Sequence, residues 1–300
     1  MTYIRNTSIF IEVKMTENTK PLSKYYRQPS IYIKFPSGGT LYGPEIVKPS
    51  TTGEHAVLPM TAMDDLAFKT PDALMSGQAT VNVIKSCIPD ILDPWKLVNY
   101  DVDAVLIAIR IASYGETMDL TMTVPVINEQ VTQSINLNQL LESVSNIKLV
   151  DTITLTDGLK VKVKPLVYKQ IVDSQLKTFQ QQRIYLQVQS SKEMSDDDKT
   201  KRFTESFKML TSLNRSLLLT NMESIGLPSG EIVTNQDEIK DFFDNAEAKI
   251  VKEIEDKLVP IRQQGAVKPL KIKATDEQVK KGVPVTYEVP LTFDNANFFG

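Results

Sequence analysis

The chain has 300 residues, 41% of them hydrophobic and 24% charged, with a formal net charge of −3. This is the composition of a folded protein rather than a disordered one, and the slight negative charge argues against a nucleic-acid binder, which normally carries a concentrated basic patch. A single cysteine and a single histidine exclude an internal disulfide and a Cys/His zinc site within one chain.

The length suits two linked units, at roughly 100–200 residues per domain. No apolar run approaches the ~20 residues that span a bilayer, and the best candidate, residues 102–112, contains Asp103 and Arg110. The apolar piece near the N-terminus is short, alternating and interrupted by Glu12 and Lys14, which does not describe a cleavable signal. A soluble intracellular protein is expected.

In chain order, residues 1–29 read as a strand or loose arm. Residues 30–35 (SIYIKF) alternate, with Ile31, Ile33 and Phe35 on one side, and Gly38-Gly39 is expected to turn the chain into a returning strand at residues 40–42. No lysine-serine/threonine pair follows these glycines, so a turn is favoured over a phosphate cradle. Short capped helices come next. Thr61 with Asp64 forms a capping-box start. Thr70-Pro71-Asp72 is a second start, and Gly77 ends its helix. Residues 78–88 place Val81, Ile84 and Cys87 on one face before Pro89 stops them. Asp101 is expected to cap a helix running to Tyr114 and closed by Gly115. Val102, Val105, Leu106, Ile107, Ile109 and Ile111 make it apolar nearly all round, as a buried central helix would be.

Two alternating runs around Ile127-Asn128-Glu129 predict a hairpin, LLESV a single helical turn, and Asp157-Gly158 the turn of another hairpin. The first has the cadence of a zinc knuckle, but Pro125, Asn128 and their neighbours stand where cysteines would, so packing alone must hold it. Lysines in LKVKVKPLVYK and VKPLKIKATDEQVKK alternate with apolar residues, as on the outer face of a half-buried strand.

From Leu166 the polar residues turn mostly to glutamine, and Val172, Leu176, Phe179 and Leu186 fall at helical spacing. Ser195 followed by Asp196, Asp197 and Asp198 begins another helix, with Phe203, Phe207, Leu210 and Leu217 at helical spacing. The pair predicts an antiparallel helical hairpin. Thr234 and Asp237 are expected to cap one third long helix bearing Ile239, Phe242, Phe243, Ile250, Ile254 and Leu258, ended by Pro260 and Gly265. Strands at 270–274 and 283–293 close the chain. The fold class is α+β: an N-terminal arm (1–29), a mixed platform of β-hairpins around short helices (30–165), a helical region (166–265), and C-terminal strands with a tail (266–300).

Chemistry is hard to find in this sequence. His55 lies in a polar approach to the first helix with no nucleophile motif nearby, and reads as a loop histidine rather than a base. Cys87 sits on an apolar helix face, where a buried thiol is the ordinary outcome. Asp64 and Asp65 diverge by about 100° on a helix, Asp101 and Asp103 read as a cap and its companion, and Asp196–Asp198 lack the spacing of a calcium loop. No catalytic, cofactor-binding or metal-ligating residue is assigned, and no cofactor is expected. An enzyme built from scattered residues stays open as the last alternative.

The segment LPMTAMDDLAFKTPDALMSGQATVNVIKSCIPDILDPWKL, followed by DVDAVLIAIRIASYG, resembles the baseplate hub family of T-even-type contractile-tailed bacteriophages. The resemblance covers residues 58–115 best. Some members carry cysteine pairs in knuckle-like hairpins, and this chain departs from them there. The resemblance implies a non-enzymatic structural or assembly protein of a phage tail baseplate hub, a late protein made in the host cytoplasm and present in the virion tail baseplate. The alternative is a transient hub-assembly chaperone absent from the finished particle. The implied partners are other tail or hub proteins, with self-association open and neither nucleic acid nor a membrane span involved. Helix sides that the chain cannot cover itself would form the interface. Trp95, Phe293, Phe298 and Phe299 are its candidate anchors; Trp95 as a core residue, and the tail phenylalanines docked on the chain's own sheet, remain open.

Overall fold

The computed structural model describes residues 22–70, 75–145, 149–191, 194–264 and 267–289. Its centre is the helix α3 (Asn99–Tyr114), which follows α1 (Ala62–Phe68) and α2 (Gln78–Cys87). Ten residues of α3 are buried, among them Val105, Ile107 and Ile109 with no exposure. Each such side chain contributes roughly 1.5–3 kcal/mol of transfer free energy. Around it pack α2, α4 (Leu137–Ser145) and the strands β1 (Ile31–Ile33) and β2 (His55–Val57). Gly115, at φ 94°, ends α3 with its N–H on the carbonyl of Ile111.

Asp101 is not the cap of α3. Val98 occupies that position without a side-chain bond, and Asp101 lies wholly buried in the first turn. Its carboxylate accepts from the Ser37 N–H at 2.9 Å, from the Ser37 hydroxyl and from the Tyr42 hydroxyl. Tyr42 in turn accepts from the Val98 N–H at 3.0 Å. This network corrects the expected Gly38-Gly39 hairpin. Residues 36–41 form a turn pinned to the start of α3, no strand returns at 40–42, and β1 pairs instead with β2, Ile31 opposite Val57 and Ile33 opposite His55. His55 is therefore a buried strand residue rather than a loop one. It packs on Phe35 at 4.9 Å, with Nδ1 3.3 Å from Asp90.

The capping box of α1 forms as the sequence predicts, and β3 (Thr117–Thr123) pairs antiparallel with β4 (Gln130–Asn136) over its whole length. The LLESV turn is longer than expected, nine residues in α4. The second start, Thr70-Pro71-Asp72, lies mostly outside the described residues.

A second core covers a four-stranded antiparallel sheet in the order β5 (Thr152–Thr154), β6 (Lys160–Val163), β7 (Met222–Gly226) and β8 (Ile232–Val233). The sequence reading missed β7 and β8. The expected third helix is two, α7 (Gln236–Asn245), capped by Asn235 rather than Thr234, and α8 (Ala248–Arg262). The backbone opens at Ala246 (ψ 155°), and this break lets Ile239 and Phe243 on one side, and Ile254 and Leu258 on the other, reach the same core. Pro260 lies in the last turn of α8. It has no N–H to give the carbonyl of Asp256, yet the helix runs two residues past it to Arg262 rather than ending there as expected.

A third, small core joins the β3–β4 tip to β9 (Leu270–Lys273) and β10 (Thr286–Val289) through Met122, Val124, Ile272 and Tyr287; α9 (Asp276–Lys280) connects the two strands without a buried residue. The knuckle-like hairpin is thus held by packing. The exposed lysines Lys160, Lys162, Lys271 and Lys273 alternate along β6 and β9 on their outer faces. The mixture of helices and small sheets is an α+β fold. Strand β6, from the expected platform, pairs with β7, from the expected helical region.

Burial on α3 raises the Asp103 carboxyl to about 7. Below about pH 4 it is protonated in both folded and unfolded chains. Between there and about 7 only the folded chain keeps the proton, so stability falls as pH rises through this window. Urea unfolding at pH 5 and pH 8 is expected to show this loss in the wild type and a smaller one in Asp103→Asn; equal losses would refute it.

Candidate interaction surface

Strands β6 and β7 are neighbours in the sheet, yet some sixty residues separate them in sequence. The chain leaves β6, runs out along α5 (Tyr168–Ser190), returns along α6 (Asp196–Asn221) and re-enters the sheet as β7. With 23 and 26 residues, the helices are about 35 and 39 Å long. The hairpin is an insertion whose two ends the sheet fixes and whose far end lies beyond the body.

Its root is well fastened. Trp95 lies half-buried in the 3-10 turn Pro94–Lys96, its ring stacked on Tyr168 at 5.6 Å, with Lys169 Nζ 5.0 Å above it. Gly77, at φ 72°, precedes α2 where a Cβ would come within 2.9 Å of Val172 and 3.2 Å of Trp95. Only glycine permits that approach. At the other end Asn221, 3% exposed, donates to the Lys164 carbonyl and accepts two bonds from Arg262. Arg215 forms an ion pair with Asp244 of α7.

Beyond the root the picture changes. Among the described residues from 175 to 214, only Val188 and Ser206 are buried. The seam includes the Ser206 hydroxyl donating to Gln181 Oε1 at 2.9 Å and the Tyr185 and Phe203 rings at 4.9 Å. The apolar stripes legible in the sequence are present, but mostly uncovered. Phe179 is 41% exposed, Tyr185 49%, Leu186 61% and Phe207 73%. One side of the hairpin carries a groove of about 650 Å³ lined by Gln182, Tyr185, Leu186, Phe203, Phe207 and Leu210, with no charged residue in its wall. The other side carries a groove of about 620 Å³ where Ile184 and Met209 sit among Asp198, Lys201, Arg202 and Glu205.

The residues considered for chemistry are engaged structurally. Cys87 is fully buried, and burial, with Asp64 nearby, pushes its thiol up to about 12, far from a reactive thiolate. Asp64 accepts from Thr61, Ser86 and Arg27. Arg27, which the sequence reading passed over, also reaches the carbonyls of Pro59 and Ser86. Asp65 turns away to Lys69 and Tyr114, and the Lys69 bond, then the Tyr114 bond, lowers its pKa. Asp196, Asp197 and Asp198 fill the first turn of α6 behind the Ser195 cap. Among the described residues no three His, Cys, Asp or Glu side chains gather as a metal site, and no helix is long and apolar enough to cross a membrane. Phe293, Phe298 and Phe299 lie outside the described residues. The signal that located the exposed faces was the pair of stripes itself; nothing in the sequence said which side chains the body would leave bare.

The Ser206–Gln181 bond is one of few interactions across the seam. Its removal by Ser206→Ala is expected to cost about 0.5–1.5 kcal/mol. Hydrogen exchange should then quicken severalfold at hairpin amides while those of α3 stay unchanged. Uniform acceleration in both would show that the hairpin does not open on its own.

A search of curated proteins and a search of solved structures each found no match. A family model described as T4 bacteriophage base plate protein matches residues 29–284, more than four-fifths of the chain. That span takes in the first two cores, the hairpin and the third core up to β10, and the chain belongs to the T4 bacteriophage base plate protein family.

Proposed function

We propose that the chain is a non-enzymatic structural or assembly protein of the baseplate hub of a contractile phage tail, and that it works by docking other tail proteins on the α5–α6 hairpin. The observation that carries this reading is the hairpin beyond its root, two helices with exposed aromatic and aliphatic side chains and, among the described residues from 175 to 214, only Val188 and Ser206 buried. Exposed apolar patches of a few hundred Å² mark interaction sites on soluble proteins, and helices gain most of their stability from packing. Trp95, at the hairpin root, and the tail residues Phe293, Phe298 and Phe299 are retained as further anchors. The platform at 30–165 and the helical region at 166–265 are the working division of the chain. Assembly would take place in the host cytoplasm, before incorporation into the tail.

The test is affinity capture of the tagged, folded chain from infected cells, with mass spectrometry of the recovered proteins. The wild type is expected to recover tail-hub proteins. Met209→Glu, in the groove that carries Asp198, Lys201, Arg202 and Glu205, should recover several times less. Failure to recover any tail protein, or equal recovery by wild type and this variant, would sink the reading. Purified particles separate its two forms: a permanent component is present at fixed ratio, a chaperone is absent.

A further inference from the structure

We propose that the uncharged groove of the hairpin takes a second copy of itself, so that two hairpins pair about a two-fold axis as a four-helix bundle. The inference rests on the reading of the hairpin as a docking element and names the occupant of one of its faces.

Charge is the first argument. In a two-fold contact the same patch meets itself, and residues near the axis face their own copies. A charged side chain there would face a like charge. The groove wall of Gln182, Tyr185, Leu186, Phe203, Phe207 and Leu210 has no charge to repel. The opposite groove, with Asp198, Lys201, Arg202 and Glu205, suits water or a different, polar partner. The hairpin thus has one face fit for its own copy and one left for other tail proteins.

Area is the second argument. At about 150–250 Å² per aromatic side chain, the exposed fractions of Phe179, Tyr185, Leu186 and Phe207 leave on the order of 400 Å² of apolar surface per copy. By helical spacing Phe179 continues the stripe of Gln182 and Leu186. Two copies would bury about 800 Å² of apolar surface, which at the roughly 65% apolar share of a homodimer interface corresponds to about 1,200 Å² in all, at the lower edge of the ~1,200–2,000 Å² range of stable interfaces.

Architecture is the third. Two antiparallel helices cannot enclose a core, whereas two such pairs form the four-helix arrangement with a closed interior. The tilted Tyr185–Phe203 ring pair, 4.9 Å apart, lies along the seam and would become part of that interior.

Light scattering and sedimentation of the purified full chain, from below micromolar to tens of micromolar, test the proposal. The wild type is expected at twice its chain mass of 33.7 kDa. Phe207→Glu should weaken the dimer by roughly thirtyfold or more, and Met209→Glu on the opposite groove should leave it intact. Leu186→Gln supplies the same readout if circular dichroism shows that Phe207→Glu disturbs the fold. A monomeric wild type at tens of micromolar overturns the proposal, as does a dimer that survives the groove substitutions. A monomer that still captures tail proteins would remove the self-pairing and leave the docking function standing. A groove-dependent dimer that captures none would do the reverse.

Discussion

Burying a helix on nearly every side sets a condition that the rest of this molecule has to meet. The side chains of α3 are mostly apolar, but its first turn still carries backbone donors and the acid Asp101 with no water to receive them. Burial pushes the Asp101 carboxyl up, while the Ser37 and Tyr42 bonds pull it back. An unmatched buried acid costs several kcal/mol, so the turn at 36–41 cannot be a free hairpin. It is held against the helix, and that position directs β1 toward β2, which in turn brings His55 inside. One buried carboxylate thereby organises the N-terminal third of the described chain.

The second organising feature is the adjacency of β6 and β7. These strands pair across some sixty residues of intervening helix. The sheet fixes both ends of that insertion, and the hairpin joins the cores near its root, through Tyr168 and Leu218; among the described residues from 175 to 214 only Val188 and Ser206 are buried. Its root is tight, with Gly77, Trp95 and Val172 in close contact where the first helix starts and Asn221 bonded to Arg262 where the second ends. A stiff base with a sparsely covered far end is a reasonable design for a baseplate protein, whose task depends on surfaces presented to neighbours. Rigid positioning limits the ordering cost of association.

Among the described residues, the reactive residue types are used in structural contacts. Cys87 is at full burial beside Asp64, which opposes thiolate formation. His55 leans on Phe35 and Asp90 inside the first core. Asp64 and Asp65, consecutive on α1, point to different partners, as a 100° step per residue requires. Each of these groups stabilises a junction between elements, Asp64 most clearly through Arg27 and Ser86.

Much of the local structure was legible in the residues. The capping box at Thr61 and Asp64, the buried character of α3, the β3–β4 and β5–β6 hairpins and the two long helices follow from periodicity and turn chemistry, which act over a few residues. The baseplate family resemblance was carried by the same central segment. What the sequence could not show were the non-local choices. Ile31 and Ile33 alternate in the same way whether the partner strand is at 40 or at 55. Met222–Gly226 is too short to announce a strand, and only its pairing with β6 makes it one. The break at Ala246 exists because both halves of the apolar stripe must reach one sheet. The stripes of α5 and α6 state which side chains share a face, and periodicity can state no more than that. Whether another element packs on the face depends on where the sheet sends the helices, and only the tertiary structure decided that Phe207 and Leu186 would be left uncovered.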